Sequence, residues 1–74
     1  MTNGNYNARF PAWLRLRMCE MNIAGRDLAA ALDISHVAVS HWRTGKFTPR
    51  PHHVVKLAKV LRVTENTIKG KLGA

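Results

Sequence analysis

The chain has 74 residues, of which 12 are Lys or Arg and 4 are Asp or Glu, so its formal net charge at pH 7 is +8. A chain of this length has room for a single small core, and this excess of positive charge favours a polyanionic partner. The lone Cys19 excludes an internal disulfide, and the sequence has no apolar run of about 18 residues that would predict a membrane-spanning helix.

The beginning of the chain, MTNGNYN, is polar and predicts a flexible N-terminal arm over residues 1–7, followed by one domain over residues 8–74. Pro11 suits the first turn of a helix, because the N–H that proline lacks has no helical partner there. Apolar residues then recur at the spacing of one helix face, which predicts a buried stripe. The stripe consists of Leu14, Met18 and Met21, and it is widened by Trp13, Leu16 and Cys19.

A second and a third helix follow in close succession. The second is predicted over residues 25–32, and a short link leads from it to the third. Ser35 is a good N-cap for the third helix, because its hydroxyl can accept a free N–H two or three residues later. Gly45 is typical of the position just after a helix end, so the third helix is predicted over residues 36–44.

The rest of the chain predicts a basic loop and two more helices. Prolines and basic residues over residues 46–51 favour irregular structure. A fourth helix is predicted over residues 52–61, and Thr64 caps a fifth over residues 65–72, whose Ile68 returns to the core. The residues that the fourth helix is expected to bury are Val54, Val55, Leu57, Ala58 and Leu61. Because no β-type alternation of useful length occurs, the sequence predicts an all-α fold.

The third helix has one unusual face. A step of 3.6 residues turns Val39 and Trp42 towards the core. Imidazole and hydroxyl groups on the other face can bond to base edges, and valine can pack against thymine methyls. A polar helix face is more often only solvated surface, so the hypothesis depends on nearby cations suited to phosphate. The outer face consists of His36, Val37, Ser40, His41 and Thr44, and the cations are Arg26, Arg43, Lys46 and Arg50.

From Ile23 to Gly45 the run IAGRDLAAALDISHVAVSHWRTG resembles the helix-turn-helix of the lambdoid phage repressors and Cro proteins. The similarity continues through Pro49 and the stretch VVKLAKVLRVTENTI. This resemblance implies a compact five-helix, lambda-repressor-like DNA-binding domain. It also implies a transcriptional regulator, most similar to a Cro-like repressor, that binds a palindromic double-stranded DNA operator as a homodimer, at least when on DNA.

The resemblance assigns roles to particular residues of this chain. Those implied to read bases are His36, Val37, Ser40 and His41. Those implied to hold the DNA backbone are Gly25, Arg26, Lys46 and Thr48, to which the flanking charges add Arg43 and Arg50. Pairing of two subunits is expected to involve the fifth helix near Thr67, Ile68 and Leu72.

The chain departs from the family pattern in three places. A glutamine usually opens the second helix, where this chain has Gly25, so its contact with phosphate is expected to pass to Arg26. Asp33 replaces the usual glycine between the second and third helices, and Asp tolerates a left-handed backbone at some cost. Met18 and Arg43 stand where an arginine and a glutamate commonly form an ion pair, which frees Arg43 to face phosphate.

Other classes of function remain to be weighed. The same family includes restriction-modification controllers, which can activate as well as repress, and antitoxins, which are protein-interaction modules and would call for a long tail or an apolar patch. No catalytic constellation of acids, nucleophiles or a glycine-rich loop is present, so no enzyme is expected. The adjacent His52 and His53 are expected to point apart, and Cys19 to lie in the core, so neither metal nor cofactor is expected. We therefore expect a bacterial cytoplasmic, nucleoid-associated protein with no membrane partner and no small-molecule substrate.

Overall fold

The structure, a computed structural model, describes residues 5–73, with side chains from Arg9 onward. Over this range the chain forms helices and no strand, as the sequence predicts. None of the helices in the described range is long and apolar enough to cross a membrane. The elements are α1 (Asn5–Glu20), α2 (Gly25–Leu32), α3 (His36–Thr44), α4 (Pro51–Leu61) and α5 (Glu65–Lys71).

Helix α1 begins earlier than the sequence indicates. Pro11 lies inside the helix and not in its first turn. The turn around the proline is supported by packing, because Phe10 is only 1% exposed. The Pro11 ring also packs closely on Gly45, since a β-carbon built on Gly45 would lie 3.2 Å from Cγ of Pro11. Residues 5–7 of the predicted arm therefore belong to a helix, whereas residues 1–4 lie outside the described residues.

One apolar core lies between the helices, and three side chains that were expected in it are exposed instead. Leu16 is 58% exposed, because successive helix positions are about 100° apart and Leu16 therefore points away from the side of Leu14. Cys19 is exposed for the same reason, and Val55 is 39% exposed beside the buried Val54. The buried core consists of Phe10, Leu14, Met18, Leu28, Ala29, Leu32, Val39, Trp42, Val54, Leu57, Ala58, Leu61 and Ile68.

The predicted N-caps of α3 and α5 are confirmed, whereas α4 begins at Pro51, one residue earlier than predicted. Ser35 Oγ accepts a hydrogen bond from the Ala38 N–H at 3.2 Å, and Thr64 Oγ1 accepts one from the Thr67 N–H at 3.1 Å. Each bond satisfies an N–H that has no partner within the helix. Asp33, which follows α2, has φ 58°, so the turn into α3 keeps the left-handed residue that the family usually supplies as glycine.

Helix α3 is held on its inner side by both α1 and α2. Val39 is 0% exposed and Trp42 is 3% exposed, so these two side chains fasten the helix to the core. A side chain of α1 adds a polar link, because the guanidinium of Arg15 donates a hydrogen bond to the carbonyl oxygen of Arg43 near the end of α3. This attachment leaves the opposite face of α3 open to solvent.

Candidate nucleic-acid interface

The outer face of α3 presents the side chains that the sequence predicts there. His36 and Thr44 are exposed, and Ser40 and His41 are half-buried. Val37 is 59% exposed, so its apolar side chain is accessible from solvent. The four predicted base-reading residues thus share one accessible surface, on the side opposite Val39 and Trp42. We call this surface, formed by His36, Val37, Ser40 and His41, the reading face.

Gly25 brings two side chains of α3 against the first turn of α2. A β-carbon built on Gly25 would lie 2.9 Å from Nη1 of Arg43 and 3.1 Å from Nε2 of His36. The guanidinium and the imidazole therefore occupy space that any larger residue at this position would need. The position where the family usually has glutamine is covered here by Arg43, whereas the sequence alone assigned the compensation to Arg26.

The cations near the reading face come from separate segments of the chain. Arg26 is exposed in the first turn of α2, and Arg43 is half-buried at the end of α3. Lys46 and Arg50 are exposed in the loop between α3 and α4. Thr48, in the same loop, is exposed as well.

Acidic groups in this region are few, and none of the described ones forms an ion pair with these cations. Within the described side chains, the one ion pair joins Arg17 and Glu20 on α1 at 3.5 Å. Asp27 is engaged in a helix cap, because its Oδ2 accepts a hydrogen bond from the Ala24 N–H at 3.3 Å. The positive charge around the reading face is therefore left for a partner.

Phe47 is a member of this surface that the sequence analysis missed. Its side chain is 57% exposed, and its ring meets the His41 ring edge to face, with centroids 4.9 Å apart and an interplanar angle of 68°. Beside the pair lies a groove of about 610 Å³, also lined by Trp42, Pro49 and Arg50. A large apolar residue inside a basic loop was the signal that could have found Phe47.

The histidines at the start of α4 are closer together than the sequence indicates. The rings of His52 and His53, expected to point apart, have centroids 4.1 Å from each other, and His53 also lies 5.5 Å from Trp42. Burial lowers the pKa of His53 below its ordinary value of 6.5, and the nearby charges of His52, Lys56 and Arg50 lower it further. Among the described residues, no three His, Cys, Asp or Glu side chains come together as a metal site would require.

Comparison with known proteins decides the family. A family model described as helix-turn-helix matches residues 14–68, which run from α1 to α5 and include the whole reading face. This chain belongs to the Cro-type helix-turn-helix family. It is 38% identical over 55 residues to the HTH-type transcriptional regulator DicA of Escherichia coli (strain K12). That alignment covers 74% of this chain and 41% of the relative, so the chain spans about two fifths of the relative's length. No solved structure matches the chain.

In this helix-turn-helix protein, one residue that was expected in the pairing surface is buried instead. Ile68 is 0% exposed within the core, so its side chain cannot meet a second subunit. Thr67 is half-buried and its Oγ1 lies 2.9 Å from Oγ1 of Thr64, with which it shares a hydrogen bond. Leu72 packs partly against the core. The outer parts of Thr67 and Leu72 are what remain of the surface expected from the sequence.

Proposed function

We propose that this chain is a sequence-specific double-stranded DNA-binding regulator of transcription, acting as a Cro-like repressor on a palindromic operator. The observation that carries the proposal is the solvent-accessible reading face of α3, which contains no Lys, Arg, Asp or Glu and has cations in the first turn of α2, at the end of α3 and in the following loop. Charge alone would favour any polyanion, whereas neutral hydrogen-bonding groups between charged ones suit a surface that reads bases. Membership of the Cro-type family supports the same function.

The reading face has the chemistry for contacts in the major groove. His36 and His41 can donate or accept at purine and pyrimidine edges, and Ser40 can do either. Val37, at 59% exposed, offers an apolar surface for the methyl group of thymine. Because these residues occupy the first turns of a short helix, their side chains can enter the groove while the ends of the helix stay near the backbone.

Phosphate contacts come from both sides of the reading face. On one side Arg43 lies over the first turn of α2, where free N–H groups of the helix also favour an anion, and Arg26 is exposed nearby. On the other side the loop after α3 supplies Lys46, Thr48 and Arg50. These groups set the register of the protein on the duplex and contribute most of the affinity that depends on salt.

A dimer completes the proposal. One module of this size touches only a few base pairs, and a two-fold pair would place two reading helices roughly 34 Å apart on one face of the duplex. The pairing surface is proposed to include the exposed parts of Thr67 and Leu72 on and after α5. Repression follows when the bound dimer occludes a promoter.

Selection of bound duplexes from a random pool, followed by a salt titration, tests this function. A symmetric consensus with two half-sites is expected, together with an affinity that falls steeply as salt rises. Equal binding to all sequences would contradict base reading. A single half-site with one protein chain bound would contradict the dimer but leave the reading face intact.

A further inference from the structure

Phe47 and His41 form a pair in which an exposed aromatic side chain has one clear neighbour. The ring centroids are 4.9 Å apart at 68°, the edge-to-face arrangement that aromatic rings prefer. Phe47 remains 57% exposed, so its contact with His41 does not bury it in the core. Phe47 is not part of the buried core, so its ring acts at the surface, where its aromatic contact is with His41.

The main chain holds the two residues together. The carbonyl oxygen of His41 accepts hydrogen bonds from the N–H of Lys46 at 2.9 Å and from the N–H of Phe47 at 3.4 Å. The chain can turn back in this way because Gly45 adopts φ 84°, a conformation that favours glycine. The position of Phe47 beside the last turn of α3 is therefore set by the backbone.

The orientation of the half-buried His41 imidazole depends on packing and not on hydrogen bonds. Side-chain hydrogen bonds of the described residues leave both ring nitrogens of His41 unengaged. On the helix, Val37 precedes His41 by four residues and so lies on the same face. The exposed Val37 thus lies one helix turn before the half-buried His41, and the exposed Phe47 packs against the His41 ring.

We propose that Phe47 is a positioning residue that determines specificity, because its ring holds the His41 imidazole in the orientation that reads a base. This inference rests on the proposed function, in which His41 contacts a base. Without the ring of Phe47, the imidazole samples several rotamers and its nitrogens reach the edges of more than one kind of base pair. Loss of the ring therefore relaxes base preference at one position of each half-site.

The test uses the full chain and a set of duplexes in which each position of the selected half-site is replaced by the other base pairs. H41A first identifies the position at which preference depends on His41. F47A is then expected to reduce preference at that same position by about two- to tenfold, the size of an aromatic pair interaction, and to leave the other positions unchanged. F47Y, which keeps the ring, is expected to retain the preference, and F47A is expected to have no further effect on it when combined with H41A.

A second measurement needs no DNA. In the wild-type chain the ring of Phe47 is expected to shift the NMR signals of the His41 carbon-bound ring protons, and these shifts should disappear in F47A and persist in F47Y. Unchanged base preference in F47A, an equal loss at every position, or unchanged proton signals would each overturn the role of Phe47. If the wild-type chain itself shows no base preference, the proposed function fails, and the NMR result still reports on the pair.

Discussion

The guanidinium of Arg43 lies over Gly25, so close that a β-carbon there would come within 2.9 Å of Nη1. Gly25 opens α2 and Arg43 is near the end of α3, so the contact joins the two helices of the helix-turn-helix motif. His36 takes part as well, because its Nε2 would lie 3.1 Å from the same β-carbon. The absence of a side chain at residue 25 thus determines where two side chains of the proposed DNA interface rest.

The replacement Gly25→Ala should weaken DNA binding without unfolding the protein. The added methyl group must displace the ends of flexible side chains, which costs the fold little but moves Arg43 and His36 away from their positions. We expect several-fold weaker binding to the selected duplex and an unchanged thermal midpoint, measured by fluorescence anisotropy and circular dichroism. Combined with Arg43→Ala, the glycine replacement should weaken binding by less than it does alone.

Gly70→Ala is the matched control for that experiment. Gly70 lies within α5, and a β-carbon built on it meets nothing within 4 Å. Alanine there should stabilise the protein by about 0.5–1 kcal/mol through helix propensity and leave DNA affinity unchanged. Weaker DNA binding in this variant would show that the effect at Gly25 is not specific to the contact with Arg43.

Charge reversal at Arg43 should reduce affinity for DNA and the steepness of its salt dependence. The polar link between α1 and α3 uses the carbonyl oxygen of Arg43 and not its side chain, so Arg43→Glu should remain folded. We expect binding to weaken by about tenfold or more, and the log–log salt slope to fall by about one unit or more. Lys59→Glu, on the exposed surface of α4, carries the same charge change as a control. If the Arg43→Glu variant bound DNA with wild-type affinity at moderate salt, Arg43 would not contribute to the interface.

His53 should make the fold less stable in mild acid. Burial, then the charges of His52, Lys56 and Arg50, lower its pKa in the folded chain below the ordinary 6.5. As the pH falls through 6.5, the unfolded chain takes up the proton first, so the free energy of unfolding decreases down to the folded-state pKa. Chemical denaturation at pH 7.5, 6 and 5 measures the slope of the free energy of unfolding against pH.

The neutral variant His53→Gln separates His53 from the other titrating groups. It removes the proton uptake, so its stability should change less between pH 7.5 and 5 than that of the wild type. His52→Gln, at an exposed neighbouring position, should retain most of the wild-type slope. An identical pH dependence in His53→Gln and the wild type would assign the acid sensitivity to other groups.

Cys19 should react readily in the folded protein. The thiol is exposed on α1, so alkylation by iodoacetamide should proceed at nearly the same rate in native buffer and in denaturant. Cys19→Ser should change the free energy of unfolding by no more than about 0.5 kcal/mol, as is usual for exposed positions. Strong protection in native buffer would mean that another surface covers this face of α1.

Ile68 should matter for stability and not for subunit pairing. Because its side chain is 0% exposed, Ile68→Ala is expected to cost about 2–5 kcal/mol of unfolding free energy by leaving a cavity. Leu72→Ala, at a half-buried position, should cost less and affect dimer formation on DNA more. Analytical ultracentrifugation with and without the duplex, beside denaturation curves, distinguishes the two effects.

Features that depend on short-range interactions could be predicted from the amino-acid sequence. Ser35, Gly45 and Thr64 predicted helix ends correctly, because caps involve atoms only a few residues apart. The 3.6-residue period likewise separated the inner side of α3, with Val39 and Trp42, from its outer face.

Contacts between residues that are distant in the chain became known from the packing of the helices. The start of α1 depends on burial of Phe10, and the exposure of Cys19 depends on which side of α1 its neighbours cover. Propensity and periodicity hold no information on such packing, because they describe one helix at a time. For the same reason, the contact of Arg43 with Gly25 became visible only once α2 and α3 were placed side by side.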